Sequence, residues 1–251
     1  MKKNIFALAI AAICAFCFAS CDGMEDLDLI GHINLTATNP TGGDQAYADS
    51  TSLQFKSAMC NVTIDSVEIV DSVFTGTVDI HAGTVMVGTT QNLISNDIAN
   101  ITYPLCGINV RDTNTGVYEI NCPVDDFAFF EHLDTANVSR LITSGLTIGD
   151  VLGNIFVVAV NEETFYIGYS GNVTITSYGR NELSRVEGTV NDVNAIYVTA
   201  SQIEALSNMP ETERAGIDLI NYFPHITFNG NFSTSRADIN TVLEALNESG
   251  K

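Results

Sequence analysis

Apolar and polar residues alternate with a period of two in eight runs of the chain beyond residue 50. The alternating runs cover residues 53–56, 60–65, 74–80, 154–160, 165–169, 172–178, 187–199 and 225–232. They are rich in Val, Ile, Thr, Tyr and Phe, and Gly, Asn and Asp separate them, with hairpin turns predicted at residues 170–171 and 179–182. Short strands with one buried face predict an antiparallel all-β fold, either a sandwich or a partly open barrel.

Helical spacing is confined to a few segments, which we expect at the periphery of the sheet. Residues 199–209 and 210–222 carry apolar residues three or four positions apart, and residues 138–142 indicate one or two further turns. Ser-Arg-Ala-Asp at residues 235–238 resembles a capping box, and apolar residues follow it at helical spacing: Ile239, Val242, Leu243 and Leu246. The last helix is therefore predicted at the C-terminus.

The first twenty residues have a different pattern. Two lysines precede an apolar run over residues 5–18, and two small residues stand directly before Cys21, an arrangement typical of a secretory signal. This segment resembles the lipobox signal of Gram-negative bacterial lipoproteins. The resemblance implies cleavage before Cys21, acylation of that cysteine and anchorage in a membrane by lipid. The predicted organisation is a signal peptide (1–20), a lipidated acidic tether with the first strand (21–50) and an antiparallel β domain with C-terminal helices (51–251).

The charge balance narrows the range of partners. The chain has 30 Asp and Glu against 10 Lys and Arg, a formal net charge of −20, which excludes nucleic acid as an expected partner. Four of the acidic residues lie in residues 22–28. An acidic tract directly behind a lipidated cysteine resembles a surface-export signal, which implies display on the outside of the outer membrane. Retention with the domain facing the periplasm is the alternative.

Three cysteines remain after processing: Cys60, Cys106 and Cys122. Residues equidistant from Asn114 are expected to face each other across a hairpin, which places Cys106 opposite Cys122 and predicts a disulfide between them. Two buried thiols in contact are the alternative. Cys60 lies on the apolar side of an alternating run and is expected to be buried.

Few residues are arranged for catalysis. The four histidines are isolated in sequence, at His32, His81, His132 and His225. Asp125 and Asp126 are adjacent, and neighbours on a strand point to opposite faces, so they cannot share a substrate. We therefore expect neither an enzyme nor a metal or other cofactor.

Three short motifs suggest a modification. Ser66, Ser72 and Thr135 each follow an Asp and precede an aliphatic residue. The pattern resembles the O-glycosylation sequon of certain Gram-negative exported proteins, which implies that these three hydroxyls carry sugar.

The leading hypothesis is a non-catalytic lipoprotein of the outer membrane and cell surface, with a binding or structural role and a surface protein or glycan as partner. One alternative is a barrel or sandwich that holds a small ligand or glycan, with a mouth formed by aromatic residues: Tyr166, Tyr169, Tyr178 or Phe130. Another is a pilin-like or adhesin-like subunit that docks by an edge strand or by its C-terminal region.

Overall fold

The structure is a computed structural model that describes residues 31–62, 66–70, 75–79, 83–90, 103–125, 154–161, 163–180 and 184–236. These residues form strands β1 (Gly31–Thr41), β2 (Thr51–Val62), β3 (Ser66–Val70), β4 (Thr75–Asp79), β5 (Thr84–Thr89), β6 (Leu105–Val110), β7 (Gly116–Glu119), β8 (Ile155–Asn161), β9 (Thr164–Tyr178), β10 (Arg185–Thr199) and β11 (His225–Arg236). Three short helices, α1 (Ala200–Ser207), α2 (Glu211–Arg214) and α3 (Leu219–Tyr222), connect β10 to β11. The predicted all-β class is confirmed.

Eight of the strands form a barrel. Strands β9, β10, β11, β1, β2, β5, β6 and β8 pair in that order, and β8 pairs again with β9. Every pair around this ring is antiparallel, and β11 also makes a short parallel contact with β2 at its end. Strands β3 and β4 pair with each other as a separate hairpin. Pairing around a ring satisfies the backbone groups that an open sheet leaves at its edges.

Strand β7 continues the barrel wall beyond the end of β8. It pairs with the second half of β9, from Asn172 to Ile175, whereas β8 pairs with the first half. The Asn154 side chain, just before β8, links the residue that follows β6 to the last residue of β7. Its Oδ1 accepts the Arg111 N–H at 2.9 Å, and its Nδ2 donates to the Glu119 carbonyl at 2.9 Å.

The alternating pattern places one side of each strand inside the barrel. On β1, Ile33, Leu35 and Ala37 are fully buried, while the residues between them face outward. The interior is filled mainly by large side chains, among them Phe55, Phe156, Tyr166, Phe228 and Phe232. The interior is therefore a packed core rather than an open channel.

A second apolar cluster covers part of the outer wall. Outward side chains of β9 and β10 pack there with Leu206 of α1, Leu219 of α3 and Phe223. Thr199 begins α1 with a capping box, because its hydroxyl accepts the Gln202 N–H and the Gln202 side chain accepts the Thr199 N–H. The helices predicted within 199–209 and 210–222 are confirmed as peripheral elements.

Two local predictions are corrected. Residues 170–171 do not form a hairpin turn; they lie inside β9 at an irregularity in its pairing with β10. Ser235 and Arg236, expected at the start of the C-terminal helix, are the last residues of β11, and residues 237–251 lie outside the described residues. In the described part of the chain the last helix precedes the final strand.

The predicted hairpin and its disulfide are wrong. Strand β6 pairs with β5 and β8, whereas β7 pairs with β9, so β6 and β7 do not face each other. Cys106 points into the barrel, while Cys122 belongs to the outer cluster, on the opposite side of the wall. None of the cysteines in the described residues forms a disulfide. Cys60 is buried, as predicted.

Candidate functional site

The outer wall carries a continuous set of side-chain amides and hydroxyls on β1, β11 and the parts of β9 and β10 that lie beyond the apolar cluster; we call this set the amide face. It occupies twelve outward positions on four neighbouring strands, and none of the twelve is charged. Its members are Asn34, Thr36 and Thr38 on β1; Thr227, Asn229 and Asn231 on β11; Thr189, Asn191 and Asn194 on β10; and Ser170, Asn172 and Thr174 on β9. In a chain with 30 acidic residues, twelve neighbouring uncharged positions with a single carboxylate, Asp192, among them are a distinct chemical surface.

Strand register arranges the amide face in three rows. The first row is Asn34, Asn231, Thr189 and Thr174, and the third is Thr38, Thr227, Asn194 and Ser170. The second is Thr36, Asn229, Asn191 and Asn172, with an irregularity in the pairing of β10 and β11 between Asn229 and Asn191. Neighbouring strands lie about 4.8 Å apart and alternate residues about 6.8 Å apart, so the face measures about 14 Å in each direction.

Hydrogen bonds between these side chains hold them in place. In the third row the Thr227 hydroxyl donates to Asn194 Oδ1 at 2.9 Å, and Asn194 Nδ2 donates to Ser170 Oγ at 3.0 Å. In the second row Asn191 Nδ2 donates to Asn172 Oδ1 at 2.9 Å. Because the fold already orders these groups, a ligand would find them in place and would not have to order them on binding.

One carboxylate lies within the amide face. Asp192 is the extra residue of a bulge in β10, where it adopts a positive φ of 46°. Its N–H donates to Asn229 Oδ1 at 2.8 Å, and Asn229 Nδ2 donates back to Asp192 Oδ1 at 3.1 Å. The reciprocal pair fixes the Asp192 side chain beside a carboxamide near the middle of the face.

The bulge depends on a glycine in the neighbouring strand. Gly171 has a φ of +97°, and a Cβ at that position would lie 2.3 Å from the Asp192 carbonyl oxygen. Only glycine permits both this conformation and this close approach. The backbone at Gly171 therefore determines where Asp192 is placed.

Two groups of residues border the amide face. On one side Arg185 NH1 donates to Ser233 Oγ at 3.1 Å, and Ser233 Oγ donates to Glu187 Oε1 at 3.1 Å. On the other side the Tyr169 hydroxyl lies 3.4 Å from His225 Nδ1. Burial lowers the pKa of His225, and the nearby Asp218 carboxylate partly opposes this shift.

The aromatic residues predicted to line a barrel mouth lie in different places. Tyr166 is fully buried and stacks on Tyr47 of the β1–β2 connection at 5.3 Å between ring centroids. Its hydroxyl accepts the N–H groups of Ala46 and Tyr47 at 3.0 and 3.2 Å. Burial raises the pKa of Tyr166 to about 12, although these hydrogen bonds act in the opposite direction. This side chain therefore fills the barrel and holds the β1–β2 connection over it.

The other predicted mouth residues do not join Tyr166. The Tyr178 hydroxyl makes a 2.9 Å contact with Thr84 Oγ1, and Tyr169 faces outward beside His225. Phe130 lies outside the described residues. These positions provide no shared aromatic mouth.

Most of the sequence-predicted site residues lie in other parts of the chain. Cys21, Ser72 and Thr135 are outside the described residues, and Ser66 is the first residue of β3. Asp125 is exposed at the end of the 103–125 segment. Within the ranges that the structure describes, no three His, Cys, Asp or Glu side chains are grouped as metal ligands require.

Sequence reasoning missed the amide face, although part of its signal was visible. The polar positions of the alternating runs at 172–178, 187–199 and 225–232 are mostly Asn and Thr rather than charged residues.

No helix in the described part of the chain is long and apolar enough to cross a bilayer. Comparison with protein-family models, with curated proteins and with solved structures gave no match.

Proposed function

We propose that the mature chain is a non-catalytic lipoprotein of the outer membrane, anchored by lipid on Cys21 and displayed on the cell surface, where the barrel binds a partner through the amide face. The anchoring part of the proposal is supported by the basic and apolar residues before Cys21 and by the acidic tract of residues 22–28.

The amide face is the observation that carries the binding role. The barrel interior is packed with Phe, Tyr and aliphatic side chains, which favours a partner on the outer wall. On that wall, twelve neutral hydrogen-bonding side chains are ordered by strand register and by one another. Polar groups that are fixed before binding are a general requirement for selective recognition.

The chemistry of the face favours binding over catalysis. General acid–base catalysis needs side chains that gain and lose a proton near the working pH. Carboxamides and aliphatic alcohols do neither, and they supply all twelve positions. Asp192 is the one titratable group within the face, and its nearest side-chain partner is the Asn229 carboxamide.

Anchorage is tested by metabolic labelling with palmitate in a Gram-negative host that expresses the full chain. Cys21→Ser is expected to abolish the label, whereas Cys17→Ser, within the predicted signal peptide, is expected to keep it. Protease added to intact cells should then digest the anchored chain. An unlabelled chain, or one that resists protease until the cells are opened, would contradict the proposed anchorage and display.

A second candidate function, as a subunit of a surface assembly, is favoured by β7. Val117 on this strand is 65 % exposed, and in the described part of the chain β7 pairs only with β9. An unpaired strand edge can add a strand from a neighbouring molecule. If the chain assembles in this way, Val117→Pro should lower its oligomeric state in size-exclusion chromatography with light scattering, and Val117→Thr should not.

A further inference from the structure

We infer that the ligand of the amide face is a neutral carbohydrate chain. This inference rests on the proposed function, because it names the partner of the same binding surface. It is carried by the charge and hydrogen-bonding character of the face.

Charge argues against an anionic polymer as the ligand. Binding of phosphate-rich or sulfate-rich chains depends on Lys and Arg, and none of the twelve positions carries either residue. The guanidinium of Arg185 lies at the border of the face, where its NH1 donates to Ser233 Oγ at 3.1 Å. With a net charge of −20, the chain as a whole also repels polyanions.

The composition of the face also argues against a protein partner. The buried centre of a protein–protein interface is enriched in Tyr, Trp, Phe and Met, and its strongest contacts come from such side chains. The amide face carries none of them. A protein docked here would leave many amides and hydroxyls buried without matching partners, which is costly.

The hydroxyl groups of a sugar match the hydrogen-bonding capacity of the side chains on the amide face. Each sugar hydroxyl donates one hydrogen bond and accepts others, and carboxamides and hydroxyls likewise do both. The Asp192 carboxylate is an acceptor only, and the Asn229 carboxamide beside it supplies both a donor and an acceptor. Side chains within each row repeat about every 4.8 Å across the strands, so they offer such groups at regular intervals, as an extended chain of sugar units requires.

The test is affinity gel electrophoresis of the mature protein, after removal of the signal peptide, in a polyoxyethylene detergent. This detergent carries no sugar that could compete for the binding surface. Gels contain one of three neutral polysaccharides (dextran, mannan or arabinoxylan) or one of two anionic polymers (heparin or polygalacturonate). We expect at least one neutral polysaccharide to retard the protein, and neither anionic polymer to do so.

Matched variants locate the binding surface. Asn191→Ala together with Asn231→Ala removes two carboxamides from the face, whereas Asn208→Ala removes an exposed carboxamide just after α1. Loss of one neutral hydrogen bond weakens binding about threefold to tenfold, so the double variant is expected to bind at least about tenfold more weakly. Asn208→Ala is expected to bind as the unsubstituted protein does. If the double variant does not fold, Asn231→Ala alone replaces it in the test, because Asn231 is at an exposed position.

Each remaining outcome overturns the inference. Retardation by an anionic polymer alone would show the wrong ligand class, and retardation by no polymer would show that carbohydrate is not the ligand. Equal binding by the double variant and by Asn208→Ala would show that the sugar binds elsewhere. The labelling and protease experiments decide the anchored, displayed state separately, so failure of the carbohydrate inference is distinguishable from failure of the proposed function.

Discussion

The Tyr166 hydroxyl provides a stringent test of how the barrel is held together. Tyr166→Phe keeps the ring and its stacking on Tyr47 at 5.3 Å, so the substitution isolates the oxygen atom. That oxygen accepts the N–H groups of Ala46 and Tyr47. An N–H that loses its partner costs about 1–3 kcal/mol when it is buried. Because Ala46 is exposed and its N–H can turn to water, we expect a total loss of about 1–3 kcal/mol in the free energy of unfolding.

The matched control is Tyr118→Phe. The Tyr118 hydroxyl donates to the Asn114 carbonyl oxygen at 2.7 Å in an exposed contact, where water can replace it. Its loss should cost less than about 1 kcal/mol. Urea unfolding followed by far-ultraviolet circular dichroism measures both variants, and it suits a chain without Trp. If Tyr166→Phe is no less stable than Tyr118→Phe, the two N–H groups do not depend on Tyr166 and the reasoning is refuted.

Three further predictions concern the bulge, a buried thiol and the proposed sugar sites. Gly171→Ala should destabilise the barrel by about 2 kcal/mol or more in thermal unfolding, because its φ is +97°, while Gly43→Ala, with open space around it, should change little. Burial raises the pKa of Cys122 from 9.0 to about 12, so the folded thiol keeps its proton to a higher pH than the unfolded one. The stability contributed by this group should be complete below pH 9 and fall as the pH rises toward 12, and a Cys122→Ala variant should lack this part of the pH dependence in urea titrations. Mass spectrometry should find hexose-containing peptides at Ser66, Ser72 and Thr135, and unmodified peptides at all three would contradict the sequon.

The strands were predictable because the alternation of buried and exposed side chains depends only on residues within each strand. A strand with one face against a core must bury every second residue, as β1 does with Ile33, Leu35 and Ala37. The helix in residues 199–209 was equally local, since the Thr199 cap and the apolar spacing lie within one segment.

Strand pairing was not predictable in the same way. The turn residues at 112–116 do redirect the chain, but β6 then pairs with β5 and β8 while β7 pairs with β9. Which strands pair depends on how the whole barrel closes. The spacing of Cys106 and Cys122 in the sequence carries no information about that closure. The Ser-Gly pair at 170–171 shows the same limit, because a glycine with positive φ serves a bulge as well as a hairpin turn.

The amide face was not predictable either, because strand pairing brings together residues that are far apart in the sequence. Asn34 and Asn231, whose side chains are hydrogen-bonded at 3.3 Å, lie 197 residues apart in the sequence. Each alternating run shows neutral polar residues on its outer side, but only the register of four strands shows that these residues form one surface.

Labelling of a single introduced thiol tests the central claim most directly. In the described residues Cys60, Cys106 and Cys122 are buried, and in the proposal Cys21 is acylated, so the mature chain should react little with a membrane-impermeant maleimide. Asn231 is exposed on the amide face, so Asn231→Cys should be labelled on intact cells to the same extent as after lysis. Labelling that appears only after lysis, or not at all in the folded protein, would contradict the display of this face to the cell exterior.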